Sequence, residues 1–177
     1  MKTELPLADV YAVLEPGPVV LLSTSIDGVA NVMTMSWHTM MEFEPPLVGC
    51  VISEANHSFA ALRETGECVI NVPTVDLAEK VIACGNTSGR TVDKFKTFGL
   101  TASPAARVAA PRVEECYANL ECRVMDRELV ATYNFFVLEV VKAWKDPAVT
   151  QPETLHHRGY GRFMVAGREI VLDSKMR

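Results

Sequence analysis

Residues able to hold a ligand concentrate in three stretches of this chain. The first is Val29 to Met41, VANVMTMSWHTMM, an apolar run interrupted by Asn31, Thr34, Ser36, Trp37 and His38. Read as one strand, it sends Val29, Asn31, Met33, Met35 and Trp37 to one face and Ala30, Val32, Thr34, Ser36 and His38 to the other. Both faces mix apolar and polar groups. That suits a large, flat, mostly apolar ligand fixed by a few hydrogen bonds. A core strand whose polar groups pair locally has the same composition, and the pattern alone does not separate the two.

The second stretch is the polar turn Ser53-Glu54-Ala55-Asn56-His57-Ser58, followed by a helical pattern from Phe59 to Thr65. Asn56 or Ser58 suits its N-cap, and a helix start of this kind either is simply capped or also binds an anion. The third is Gly85-Asn86-Thr87-Ser88-Gly89-Arg90, ahead of the helical Val92-Asp93-Lys94-Phe95-Lys96. Two glycines, Ser88 and the cations Arg90 and Lys94 around a helix start offer chemistry for a phosphate. The G-x-x-x-x-G-K-[ST] order of a P-loop is missing, and a solvated loop has the same composition.

These stretches need elements to position them. Leu7 to Leu14 suits a short helix stopped by Pro16-Gly17-Pro18. Val19 to Ile26 reads as a strand, and Asp27-Gly28 before the next apolar run predicts an antiparallel hairpin that makes the Val29–Met41 strand central. Further strands are expected at Leu47–Ile52, Glu67–Val72, Cys116–Met125 and Tyr133–Trp144, with a closing hairpin of Tyr160–Val165 and Arg168–Leu172 about Ala166-Gly167. Thr74 begins a helix through Cys84 that Gly85 should stop. Seven or eight strands in hairpins with few short helices predict a mainly β (β-rich α+β) fold, an antiparallel barrel. No G-x-G-x-x-G follows a strand, so a nicotinamide cofactor would not sit on a dinucleotide-binding βαβ unit.

The chain has 177 residues, enough for one domain, taken as residues 1–177, with a substantial core. Net charge is −5, which gives no general attraction to nucleic acid or anionic membrane. No apolar run approaches the roughly 20 residues that span a bilayer. The first residues, MKTELPLADVYAVLEPGP, lack a signal-peptide core, so a cytoplasmic location is expected. Cys50, Cys68, Cys84, Cys116 and Cys122 form no C-x-x-C pair and read as buried thiols. His38, His57, His156 and His157 lack metal-ligand spacing, and no metal site is expected.

Taken together, the chain resembles the flavin reductase-like, FMN-binding split-barrel family, and within it the flavoredoxin-type proteins. The resembling pieces are Pro18-Val19-Val20-Leu21-Leu22-Ser23-Thr24, Asn31-x-Met33-Thr34-x-Ser36-Trp37, Pro45-Pro46 before a strand, and Gly66 to Pro73. Cys84-Gly85-Asn86, Ser88-Gly89-Arg90 and Asp93-Lys94-Phe95 continue them in order, and the Gly159-Tyr160-Gly161 hairpin follows more loosely. The resemblance implies a Greek-key split β-barrel, a homodimer, and one non-covalent FMN per subunit near the interface. Asn31, Thr34 and Trp37 match positions that line the flavin, with Met33, Met35 and Ser36 beside them. Ser58 and Lys94 match phosphate ligands, while Ser53, Asn56 and His57 share the phosphate-side turn and Ser88 and Arg90 lie in the glycine loop. Where the family often carries a basic residue, this chain has Glu54-Ala55-Asn56, leaving His57 or Arg90 to supply the charge.

By that resemblance the protein would pass electrons from NADH or NADPH through FMN to a flavin or an acceptor protein. The cofactor would carry the chemistry, so no side chain is assigned as catalytic acid or base. An FMN electron carrier fed by a partner protein is the alternative, and a non-catalytic ligand-binding barrel is a third.

Overall fold

The Asp27-Gly28 turn sets the geometry of everything that follows. Asp27 (φ 50°) and Gly28 (φ 77°) both take the left-handed conformation that a two-residue hairpin requires. They join β1 (Val20–Ile26) to β2 (Val29–Met35), registered from Ile26 opposite Val29 to Val20 opposite Met35. The structure, a computed structural model, describes residues 17–173, so the helix expected at Leu7–Leu14 lies outside the described residues.

The single long strand expected through Met41 is in fact two. β2 ends at Met35, Ser36 and Trp37 form a bend, and β3 (His38–Phe43) begins at once. The remaining strands are β4 (Pro46–Val51), β5 (Glu67–Val72), β6 (Ala102–Ser103), β7 (Arg112–Val113), β8 (Ala118–Asp126), β9 (Phe135–Lys145), β10 (Leu155–His157) and β11 (Phe163–Val165). Seven of them form one antiparallel sheet in the order β2-β1-β5-β8-β9-β4-β3. Consecutive strands β2 and β3 therefore occupy opposite edges of the sheet. A two-residue connection spans that gap only if the sheet curls until its edges approach, and this is the split barrel. β2 is thus an edge strand, not a central one, and its outer side is open to ligand.

Among the described residues four helices flank the sheet: α1 (His57–Thr65), α2 (Ala78–Asn86, entered through a 3₁₀ turn at Val75–Leu77), α3 (Lys94–Phe98) and α4 (Val130–Tyr133). α2 continues through Gly85 instead of stopping at Cys84. α4 falls where β-prone residues gave no helical signal. The closing hairpin also differs from expectation: β10 pairs with β11, and residues after Val165 pair with nothing among the described strands. Gly159, Tyr160 and Gly161 all have positive φ, so the turn is built at the Arg158–Arg162 tip and not at Ala166-Gly167.

β1 reads as a continuous apolar run because both its faces are covered. Val20 and Leu22 join Ile52, Leu62, Phe136 and Leu138 inside the barrel, while Val19 and Leu21 pack outside it with Val32, Val81, Cys84 and Phe95. All five cysteines are buried and free of disulfides. Cys116 and Cys122 lie in the two different clusters, whereas Cys68 and Cys122 are cross-strand partners.

The buried Glu121 ties the irregular 104–111 segment to the sheet. It accepts bonds from Ala106 N–H (2.9 Å), Arg107 N–H (2.6 Å) and Trp144 Nε1 (2.7 Å). Burial pushes its carboxyl up, but these bonds and the Arg112 charge outweigh it and hold the group below its ordinary value of 4.5. A depressed folded pKa contributes stability above the unfolded value and loses it as pH falls through the folded one. Glu121→Gln should therefore lower stability at neutral pH by about 1–3 kcal/mol and flatten the loss on acidification, measured by urea unfolding at several pH values.

Candidate functional site

Three segments converge on the outer side of β2: the first turn of α1, the last turn of α2 with its loop, and the start of α3. They enclose a recess of about 220 Å³ lined by Asn31, Met33, Thr34, residues 55–58, residues 84–89 and Lys94. Whole-ligand pockets run from roughly 300 Å³ upward, so this one holds only part of a ligand.

The recess carries one lysine and no carboxylate. Lys94 is 4% exposed, and its ammonium donates to the carbonyl of Cys84 at 2.7 Å. The ion pair found among the described residues joins Arg123 to Glu67, far in sequence from this lysine. Burial pulls the Lys94 ammonium below its ordinary value, an effect the nearby Cys84 thiol opposes. Burial likewise pushes the Cys84 thiol up, with Lys94 pulling it down. A buried cation with no carboxylate partner is costly, and an anionic ligand offsets that cost. Ser58, also in the lining and fully buried, accepts a bond from Asn31 Nδ2 at 2.8 Å. Asn56 is the N-cap of α1 but its side chain makes no cap bond, and the first turn has no acid. The positive end of α1 is left for a ligand.

The loop fits against β2 because Gly89 has no side chain. A Cβ there would fall on Asn31 Oδ1 and come within 2.9 Å of His57 Cδ2. Gly85 lies beside Thr34 without such a requirement, since a Cβ there would make ordinary contact at 3.4 Å from Thr34 Cβ. Thr34 Oγ1 in turn donates to Val81 O at 2.6 Å, fastening α2 to the strand. Ladder alternation from the Ile26–Val29 pair makes Asn31 and Met33 bond to β1, so the peptide groups of Ala30, Val32 and Thr34 face the outer edge.

Of the residues singled out by sequence, Asn31, Met33, Thr34, Asn56, His57, Ser58, Ser88 and Lys94 line the recess. Arg90 lies on the neighbouring surface, and its guanidinium donates to Ala55 O at 3.2 Å. Ser53 braces the same residue from below, its Oγ accepting from Ala55 N–H at 3.3 Å. Met35 departs from the expectation: its side chain packs in the barrel core and, by the same alternation, its peptide groups bond to β1, so it offers no group to the outer edge. Ser36 and Trp37 form the bend, and Trp37 is 58% exposed. Ala55, Cys84, Gly85, Asn86, Thr87 and Gly89 complete the lining without having been singled out as ligands. The density of Gly, Asn and Ser in that loop was their only signal.

The architecture is a split antiparallel barrel with an acid-free, lysine-bearing recess on its edge strand, a donor set suited to an anion. The chain belongs to the flavin reductase like domain family, whose model matches residues 13–164, and it has the FMN-binding fold of that family. A relative from Archaeoglobus fulgidus is 35% identical over 111 residues, a match spanning 63% of this chain and 63% of that protein. The FMN-binding domain of a flavin reductases-like enzyme from Shewanella baltica superposes with a TM-score of 0.84 at 28% identity, covering 97% of each chain. A flavoredoxin from Methanosarcina acetivorans superposes at 0.83 with 25% identity, covering 99% of this chain and 96% of that one.

Proposed function

We propose that this protein binds FMN and acts as an FMN-dependent oxidoreductase, drawing on NADH or NADPH and delivering electrons to a flavin or a protein acceptor. The carrying observation is that the buried Lys94 and Ser58 line one recess that has no carboxylate. Lys94, Ser58, Asn56, His57 and Ser88 hold the phosphate, with the uncapped start of α1 adding its partial positive charge. Ser53 and Arg90 hold the Ala55 turn in place from either side. This bracing answers the absence of a basic residue in Glu54-Ala55-Asn56: the turn is positioned by Arg90, not charged by it.

From the recess the tricyclic ring lies along β2 toward the bend. Outward peptide groups of Val32 and Thr34 meet its polar edge, and Met33, Ser36 and Trp37 lie along its course. When bound, the flavin supplies the two-electron chemistry; the chain binds and orients it. Trp37, Met40, Met41 and Phe43 are 47–68% exposed on the bend and β3, an apolar surface that a second copy of the chain covers to complete the ring site. Light scattering of the purified protein should give a dimer mass; a monomer at all concentrations contradicts this part.

The deciding measurement is the visible spectrum of the purified protein before and after anaerobic NADH or NADPH. Stoichiometric FMN that bleaches with a nicotinamide donor supports the proposal. Bound FMN that resists both donors favours the electron carrier, a role consistent with the likeness to a flavoredoxin. A protein that takes up no FMN defeats both.

A further inference from the structure

In a chain of net charge −5, the segment from Thr154 to Arg168 contains no acid and three arginines, Arg158, Arg162 and Arg168. Its first part is the β10–β11 hairpin, whose tip is Arg158-Gly159-Tyr160-Gly161-Arg162. The fold brings that tip to the ring end of β2. Val19 N–H donates to Leu155 O, and Pro18 bridges to His156, so the hairpin runs antiparallel beside the start of β1. Val20 is level with Met35, and Pro18 O is bonded to His38 Nε2 at 2.7 Å. The tip therefore projects past the start of β1 on the same end of the sheet as Trp37, away from the Lys94 recess.

The tip is also preorganised. Arg158 N–H donates to Arg162 O at 2.8 Å and Arg162 N–H to Gly159 O at 3.0 Å, closing a tight loop that holds both arginines at its base. Tyr160 stands at its apex, 85% exposed. Arg158 is half-buried: its Nη1 donates to the thioether of Met164 at 3.3 Å, and its Nε is buried without a hydrogen-bond partner. A thioether is a weak acceptor, so the outer N–H groups of this guanidinium keep capacity for a stronger one. Two arginines four residues apart on a rigid turn match a pyrophosphate, and an exposed tyrosine between them offers a face for a base or ribose.

We propose that this hairpin tip is the docking element for the electron donor, with Arg158 and Arg162 holding the pyrophosphate of a nicotinamide dinucleotide. The proposal rests on the FMN reading for the identity of the donor, but dinucleotide binding can be measured without turnover. These are positioning residues: they fix the anionic part of the donor so that its ring reaches the flavin at the end of β2 away from the Lys94 recess.

The test is calorimetric titration of the whole protein, as purified and after FMN addition, with the oxidised dinucleotides NAD⁺ and NADP⁺. Arg162→Ala, an exposed position, and the double variant with Arg158→Ala should each weaken binding, on the order of tenfold per arginine. FMN retention should be unchanged, and Arg158→Lys should recover only part of the loss because lysine lacks the planar fork. In turnover the KM for the donor should rise with kcat little altered, and the wild-type dependence of KM on salt should flatten in the double variant. A loss for NADP⁺ alone would place the arginines on the extra phosphate and overturn the pyrophosphate assignment. Unchanged affinity for both dinucleotides overturns the proposal, including the case where only reduction by an acidic carrier protein is lost. Failure to retain FMN with dinucleotide binding intact would sink the proposed function while leaving this site standing.

Discussion

Lys94→Met should abolish firm FMN binding while leaving the empty protein as stable as before, or more so. The lysine is nearly fully buried, bonded to one carbonyl and facing no carboxylate in its recess. In the empty protein its charge is a cost, because desolvation is not repaid by a counter-charge. A methionine of similar length removes that cost and fills the space. With a phosphate present the balance reverses, since a charge-assisted hydrogen bond in a shielded site contributes about 1.5–3 kcal/mol, roughly 10- to 100-fold in affinity. Fluorescence titration with FMN and thermal unfolding with and without ligand measure both halves. Unchanged affinity would remove Lys94 from the phosphate site.

The pH dependence has opposite signs in the two states. Burial lowers the folded pKa of Lys94 below the ordinary 10.5, so between those two values the unfolded chain binds more protons than the folded one. Stability of the empty protein from this group therefore rises with pH across that window. FMN affinity falls across the folded pKa, as the ammonium is lost. Lys94→Met should erase both trends.

Gly89→Ala should damage the site nearly as severely, by sterics in place of charge. The added methyl group meets Asn31 Oδ1 and His57 Cδ2, both of which are held: Asn31 is bonded to Ser58 on a strand, and His57 begins α1. The loop has to lift off β2, at about 1–3 kcal/mol, and residues 86–88 lift with it. FMN affinity should fall at least tenfold. Gly28→Ala is the contrast. Its φ of 77° strains any side chain, but nothing lies within 4 Å of the new Cβ. That variant should lose about 1 kcal/mol of stability and keep FMN affinity. Equal loss of binding in the two would show that general destabilisation, not the loop's seat, governs FMN retention.

Much of the local structure was legible because its causes are local. Asp27-Gly28 demanded a hairpin, and a hairpin followed. Glu67 to Val72 was bounded by Gly66 and Pro73, and the strand occupies those residues. The helix expected over Val92–Lys96 is present but shifted to Lys94–Phe98, because Asp93 caps it by accepting from Lys96 N–H and Gly99 closes it in the left-handed conformation. The flavin reductase resemblance rested on the order of such pieces. Where two signals competed locally the outcome was less clear: Gly159-Tyr160-Gly161 and Ala166-Gly167 both look like turns, and only pairing with Leu155–His157 selects the first.

What the sequence by itself determined was the alternation of strands and turns, the polar character of three stretches, and a family pattern written in residue types at fixed spacing. What the tertiary structure alone decided was which of those polar groups meet. Ser58 and Lys94 are 36 residues apart, and nothing in their spacing brings them to one recess; the curl of the sheet and the packing of α2 against β2 do. The break at Ser36-Trp37 is decided the same way, because a strand cannot reveal from its own residues that its two halves belong to opposite edges of a closing sheet. Burial is a property of the assembled molecule, and it is burial that turns Lys94 from a surface cation into one that needs an anion.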